Sequence, residues 1–462
     1  MNVRSFGSLF VLFPVLGIAS VELAGCGSSD SSPAAPGPTG VGGAAAGAAG
    51  AAAAGTSSIG GAGTAGGAAG AGGDATAGPG GNGGSEVGGT TGAGGKGGSA
   101  GMAAGGAMGG GGFQTAKHTP FPNIPKFSGP LLTSPQIITV TYAGYKYTKE
   151  VQAFGDAIVT SDWLTAWGAE YGVGAGAHLA KVELPDMPPA TISDDELQMF
   201  ITAKLADKTL PTPPGNPNDY LYVFYFPKST HFKRVDGAAS CQAFLGFHNG
   251  FFTGPVRVAY AVINDCGAQP GISELGSITG TSSHEIAEAA TDPMPYNNPA
   301  YTFGGGGTLD PWRIWGSEVG DICEGTEYKD ATGTVVQRIW SNANAKKNLD
   351  PCVPSAQPDG SLFSVSAAPS TLQQVNPGQV VTFKLTGWST NPRADWNLSY
   401  SVWSATLLPK IALSSMTINN GVEVTLTLTV PNAAPSGTDF LMTIDSRSGG
   451  EVHPWPVGIF VP

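Results

Sequence analysis

Residues 219–226 read DYLYVFYF and residues 256–263 read VRVAYAVI. Both runs are dense in aromatic and β-branched side chains and neither alternates apolar with polar, so each predicts a strand covered on both faces. Working outward, Gln136 to Tyr142 (QIITVTY) is a third such strand. Helical patterns lie between them. One runs from Glu150 to Trp167 and ends near Gly168. A second is capped by Ser193, carries Asp194, Asp195 and Glu196 in its first turn, and repeats Leu197, Phe200, Ile201 and Leu205 at helical spacing. Strands alternating with helices predict an α/β (α+β) domain over about 113–354.

After a Pro/Ser/Gly hinge at 354–360 the pattern changes to strands alone. Val422 to Val430 (VEVTLTLTV) alternates strictly, the period of a half-buried strand. Short runs at 363–365, 380–385, 398–402, 440–444 and 457–461 are separated by turns such as Asn376-Pro377-Gly378 and Pro435-Ser436-Gly437. About seven strands in roughly 100 residues predict an all-β, immunoglobulin-like sandwich over 361–462, without the inter-sheet cysteine pair of antibody domains.

The N-terminal quarter reads differently. Arg4, an apolar stretch from Phe6 to Ala19, and Leu23-Ala24-Gly25-Cys26 form a signal peptide over 1–25 ending in a lipobox-like run, which makes Cys26 the lipid attachment residue. Residues 26–112 are almost wholly Gly, Ala, Ser, Thr and Pro and carry no aromatic, so they predict a disordered tether. A Gly-rich coil of about 85 residues spans on the order of 50 Å. No other window approaches the roughly 20 apolar residues of a spanning helix, so the expected membrane partner is reached through lipid alone. The net charge of −12 argues against nucleic acid as a partner.

Apart from Cys26, the cysteines are Cys241, Cys266, Cys323 and Cys352, an even number in an exported chain. That favours disulfides over a zinc site, because no Cys-x-x-Cys pair exists. Three pairings are open, and the shortest loops join Cys241 to Cys266 and Cys323 to Cys352.

Chemistry concentrates in Thr281 to Pro293, TSSHEIAEAATDP, on a helix expected to begin at Ser273. His284 and Glu288 are four apart and project from one helix face, where they can converge on a single ion. Glu285 stands beside His284 as in His-Glu-x-x-His zinc peptidases, where the glutamate activates water. Here Glu288 replaces the second histidine; a carboxylate can ligate Zn²⁺, but its negative charge weakens Lewis acidity and equally suits the alternative, Ca²⁺. Glu318 and Asp321 are the candidate further ligands, with Asp292 and Glu324 behind them. His248, in Gly246-Phe247-His248, is either a ligand or a packed histidine, and the packed reading is favoured since nothing local orients it; His178 has still less context. Gly-x-Ser-x-Gly and phosphate-loop motifs are absent.

Several landmarks run in order through the first domain: Gly129-Pro130-Leu131-Leu132-Thr133-Ser134-Pro135, Cys241 with Gly246-Phe247-His248, Ala259-Tyr260-Ala261-Val262, Cys266, His284-Glu285-x-Ala287-Glu288 and Asp321-Ile322-Cys323-Glu324-Gly325. In these the chain resembles the EXORDIUM-like, phosphate-induced family of extracellular proteins over about 129–352. The resemblance implies secretion, paired cysteines and a role at the cell exterior, and supplies no substrate. The expected whole is a surface-anchored lipoprotein with a metal-binding, zincin-like domain that acts as a metallohydrolase with Glu285 as general base. The alternative is a non-enzymatic adhesion, signalling or envelope-binding protein whose partner is an extracellular protein or glycan.

Overall fold

The computed structural model describes residues 112–234, 236–303, 310–402 and 407–462. The expected signal peptide, Cys26, most of the Gly/Ala tether and the glycine run at 304–307 lie outside the described residues. The described residues all belong to one compact unit.

The apolar runs become the strands β1 (Gln136–Tyr142), β2 (Ala177–Leu184), β3 (Tyr220–Phe226), β4 (Gly246–Thr253) and β5 (Val256–Asn264), which form one sheet in the order β2-β1-β3-β5-β4. The first four in that order are parallel, and β4 is an antiparallel edge strand beside β5. Both faces are covered, which is why β3 and β5 show no alternation. Four helices take part: α1 (Thr148–Ile158), α2 (Asp162–Tyr171), α3 (Asp194–Ala206) and α4 (Glu274–Thr291). Leu197, Ile201 and Leu205 of α3 join Ile138, Val140, Tyr222, Phe224 and Val262 on one face. Val151 and Phe154 of α1, Trp163 and Trp167 of α2 and Ile286 of α4 join Ile137, Leu221, Val223 and Ala261 on the other. Each such side chain contributes about 1.5–3 kcal/mol when fully buried.

The single helix expected over 150–167 is two. Ser161 interrupts it, its side chain accepting a hydrogen bond from the Leu164 backbone and starting α2, which then runs past Gly168 to a left-handed stop at Gly172. Ser193 caps α3 in a reciprocal box with Glu196, and Ser273 caps α4. Cys241 bonds Cys266 and Cys323 bonds Cys352, the two short-loop pairs, so no free thiol remains there for a metal.

Among the described residues of 363–460 the regular elements are all strands. A four-stranded sheet runs in the order Phe363–Ala368, Val380–Ser389, Glu423–Thr429, Lys410–Leu413, and a five-stranded sheet in the order Gln373–Gln374, Glu451–Phe460, Asp439–Ser448, Trp396–Val402, Thr417–Ile418. Inward side chains of both, among them Phe383, Leu426, Met442 and Val457, belong to the same core as α1, α2 and α4. Phe121 ties the two parts together, its ring lying within 6.0 Å of those of Trp312, Trp340, Trp388 and Trp455. Among the described residues no helix is long and apolar enough to cross a membrane.

Candidate metal centre

Helix α4 packs against β4 and β5, and glycine makes the close approach to β4 tolerable. A Cβ on Gly246 would stand 2.5 Å from Glu285 Oε1 and 2.6 Å from Thr281 Cγ2. Successive strand residues point to opposite faces, so Gly246 and His248 both look toward α4 while Phe247 packs on the α3 side. His248, read from the sequence as a packed histidine, is thereby driven into the His-Glu helix. The signal was there in the period-two spacing of Gly246, His248 and Gly250, which presents one large side chain between two gaps.

The geometry that follows is tight. His248 Nδ1 lies 3.3 Å from Glu285 Oε2 and 3.4 Å from Glu288 Oε2. His284 Nε2 lies 3.1 Å from the same Glu288 Oε2 and 3.8 Å from Asp321 Oδ1. On its far side His248 Nε2 stands 3.2 Å from Glu318 Oε2. All are buried, His284 at 0% exposure and none above 5%. Of the sequence candidates, His284, Glu285, Glu288, Glu318 and Asp321 come together. Asp292 caps the C-terminus of α4 and holds the Ala300 backbone N–H at 3.0 Å, and Glu324, half-buried, lies outside both ligand groups described below. His178 pairs with Asp156 at 2.8 Å, and His118 stacks on Trp388, both away from the centre.

Neighbours from a later segment orient these ligands. Gln337, which sequence reasoning missed, donates from Nε2 to the Gly320 carbonyl at 2.7 Å, so its amide oxygen faces His284 Nδ1 at 3.1 Å. A proton on Nδ1 then donates to Gln337, and Nε2 is the nitrogen turned toward Glu288 and Asp321. Asp321 is held by the Ser317 and Glu318 backbone N–H groups at 2.8 and 3.0 Å, and its own N–H donates to Glu288 Oε1 at 3.1 Å. Gly320 has no room for a side chain: a Cβ would meet Glu288 Oε1 at 2.8 Å and His284 Nδ1 at 2.9 Å.

Burial sets the electrostatics. It pushes the Glu285 and Glu318 carboxyls up, Asp292 to about 7 and Asp321 to about 6. Burial alone would also raise Glu288 and lower the imidazoles, but their proximity reverses both effects. His284 and His248 hold Glu288 down at about 2, and the carboxylates, Glu288 foremost for His284 and Glu318 for His248, hold the imidazoles well above their ordinary value. The cluster is short of positive charge, and uncompensated buried charge costs several kcal/mol per ion.

Two sets of side chains can each offer donor atoms within 4.8 Å of one another: His248, Glu285 and Glu288, and His284, Glu288 and Asp321. Four-coordinate zinc with bonds of about 2.0–2.1 Å separates its ligand atoms by about 3.3 Å, close to the 3.1 to 3.4 Å found around Glu288.

No family model matches the chain. No curated protein matches it either. Among solved structures it is similar to domains 4 and 5 of the S-layer protein SbsC, with a TM-score of 0.17 and 20% identity over 22% of this chain and 54% of that one. It is also similar to domains 5–6 of the S-layer protein SbsC, with a TM-score of 0.17 and 21% identity over 21% of this chain and 44% of that one. The chain thus spans about half the length of the first of these structures. A TM-score of 0.17 is too low to establish a shared fold.

Proposed function

We propose that this chain is an exported, lipid-anchored cell-envelope protein whose α/β part is built around a zincin-like zinc centre, with an immunoglobulin-like sandwich behind it. The observation that carries the reading is the convergence of His284 Nε2 and His248 Nδ1 on one carboxylate oxygen of Glu288, at 3.1 and 3.4 Å. Imidazole plus carboxylate is a donor set for zinc, whereas calcium takes six to eight oxygens, so zinc is the better fit of the two. The closed, buried setting suits a metal that stabilises the fold, since catalytic zinc keeps an open position. The export signal, the Leu-Ala-Gly-Cys run, the two disulfides and the family resemblance of residues 129–352 support an extracytoplasmic setting. In that setting the protein serves as an adhesion or envelope-binding module with a protein or glycan partner.

A metallohydrolase is the second reading, favoured by Glu285 standing between His284 in sequence and His248 in space. A bound zinc would supply Lewis acidity and an acidified water, and Glu285 would take the proton. Two substitutions test the proposal. Cys26→Ser should release the protein from the membrane fraction, and unchanged membrane retention would refute lipid attachment at Cys26. Glu285→Gln should abolish any hydrolysis of peptide or ester substrates while zinc stays bound, and an unchanged rate would remove Glu285 from the base role.

A further inference from the structure

We infer that the centre takes two divalent cations bridged by Glu288, one held with His284 and Asp321 and the other with His248 and Glu285. The inference rests on the metal-centre reading above. It makes Glu285 a ligand rather than a base.

The two imidazoles fall in different ligand groups, and the groups share only Glu288. Each imidazole also has its remote nitrogen facing an oxygen: His284 Nδ1 faces Gln337 Oε1 at 3.1 Å, and His248 Nε2 faces Glu318 Oε2 at 3.2 Å. A hydrogen-bonded partner of the Gln337 kind orients a metal-bound histidine, while the Nδ1 of His248 is turned toward Glu285 and Glu288 at 3.3 and 3.4 Å. Glu288 Oε2 lies between the rings, the position a bridging carboxylate takes between ions about 3.5–4 Å apart.

Charge then decides the number of ions. Glu285, Glu288, Asp292, Glu318 and Asp321 are five buried carboxylates, facing two imidazoles. Ionising all five would leave three negative charges uncompensated by one divalent ion and one by two, and every carboxyl but Glu288 is held up by burial until such charge is supplied. Further positive charge is called for by unused acceptors. Glu318 Oε2, on a residue 5% exposed, and Asp292 Oδ2, on one 0% exposed, make no hydrogen bond, and the 3.2 Å approach of Glu318 to His248 lacks hydrogen-bond geometry.

The test is Zn²⁺ titration of the chelator-stripped full chain, read as equivalents bound. Two equivalents in the unsubstituted protein, falling to one in His248→Ala and to one in His284→Ala, is the expected result. One equivalent in the unsubstituted protein, lost with either histidine, would overturn the second ion and leave the single centre standing. No bound zinc would overturn the metal-centre reading itself. In case a variant misfolds, Co²⁺-loaded unsubstituted protein gives an independent readout. Electron paramagnetic resonance should show two exchange-coupled ions, whereas isolated, uncoupled Co²⁺ would refute a shared Glu288.

Discussion

His248 on the edge strand and Glu288 on α4 stand 3.4 Å apart, Nδ1 to Oε2, although neither lies in the other's sequence neighbourhood. The contact depends on a missing side chain. Gly246, two residues before His248 on the same strand face, lets α4 close on β4, and closure brings the histidine to the acidic face of the helix. Gly246→Ala should therefore cost about 1–3 kcal/mol of stability by overpacking and weaken metal binding with it. Urea denaturation with and without Zn²⁺ checks this, and a variant as stable as the parent would show that the helix has room to move.

Gln337 acts through His284. Replacing it by Leu leaves His284 Nδ1 without its acceptor at 3.1 Å, and the ring loses the partner that aims Nε2 at Glu288. Zinc affinity should fall by about 10–100-fold, and Gln337→Glu, which keeps an acceptor for His284 but loses the donor to the Gly320 carbonyl, should recover part of it. A competition assay against a chelator of known affinity reads the change, and equal affinities in all three proteins would separate Gln337 from the centre.

Asp194 supplies a pH dependence remote from the proposed ligands. Burial raises its carboxyl above the ordinary value, outweighing hydrogen bonds from Tyr260 and from Asn249, the latter at 3.0 Å. An acid raised by folding contributes stability that is complete below its unfolded value and is lost as pH rises through the folded one. As pH rises above about 4, the ordinary value for such a carboxyl, this contribution should fall, and Asp194→Asn should flatten the fall. Urea midpoints measured from that pH upward decide it, parallel slopes being the contrary outcome.

Cys323 and Cys352 close a loop of sequence separation 29 that begins two residues after Asp321. Changing both to Ala should cost about 2–4 kcal/mol and loosen the turn holding Asp321. Thermal unfolding and zinc affinity should both drop. Loss of stability alone would leave Asp321 positioned by its own hydrogen bonds from Ser317 and Glu318.

Much of this architecture is written locally in the chain. The buried strands announce themselves by unbroken apolar runs such as Tyr220–Phe226, and the helix starts by Ser193 and Ser273, because propensity and capping act over a few residues. His284, Glu285 and Glu288 were legible for the same reason, being one turn apart on one helix. His248 and Gln337 were not, since their roles arise from a strand edge and a late hairpin meeting α4 in space. The break at Ser161 was hidden by the continuing apolar pattern of Trp163, Leu164 and Trp167. The short strands Gln373–Gln374, Lys410–Leu413 and Thr417–Ile418 give too little periodicity to be read.

Metal content measured by mass spectrometry on the chain isolated without chelator from an oxidising compartment tests the central claim most directly. The account predicts stoichiometric zinc that disappears in the His284→Ala, Glu288→Ala double variant. A folded protein with both disulfides formed and no bound metal would contradict it.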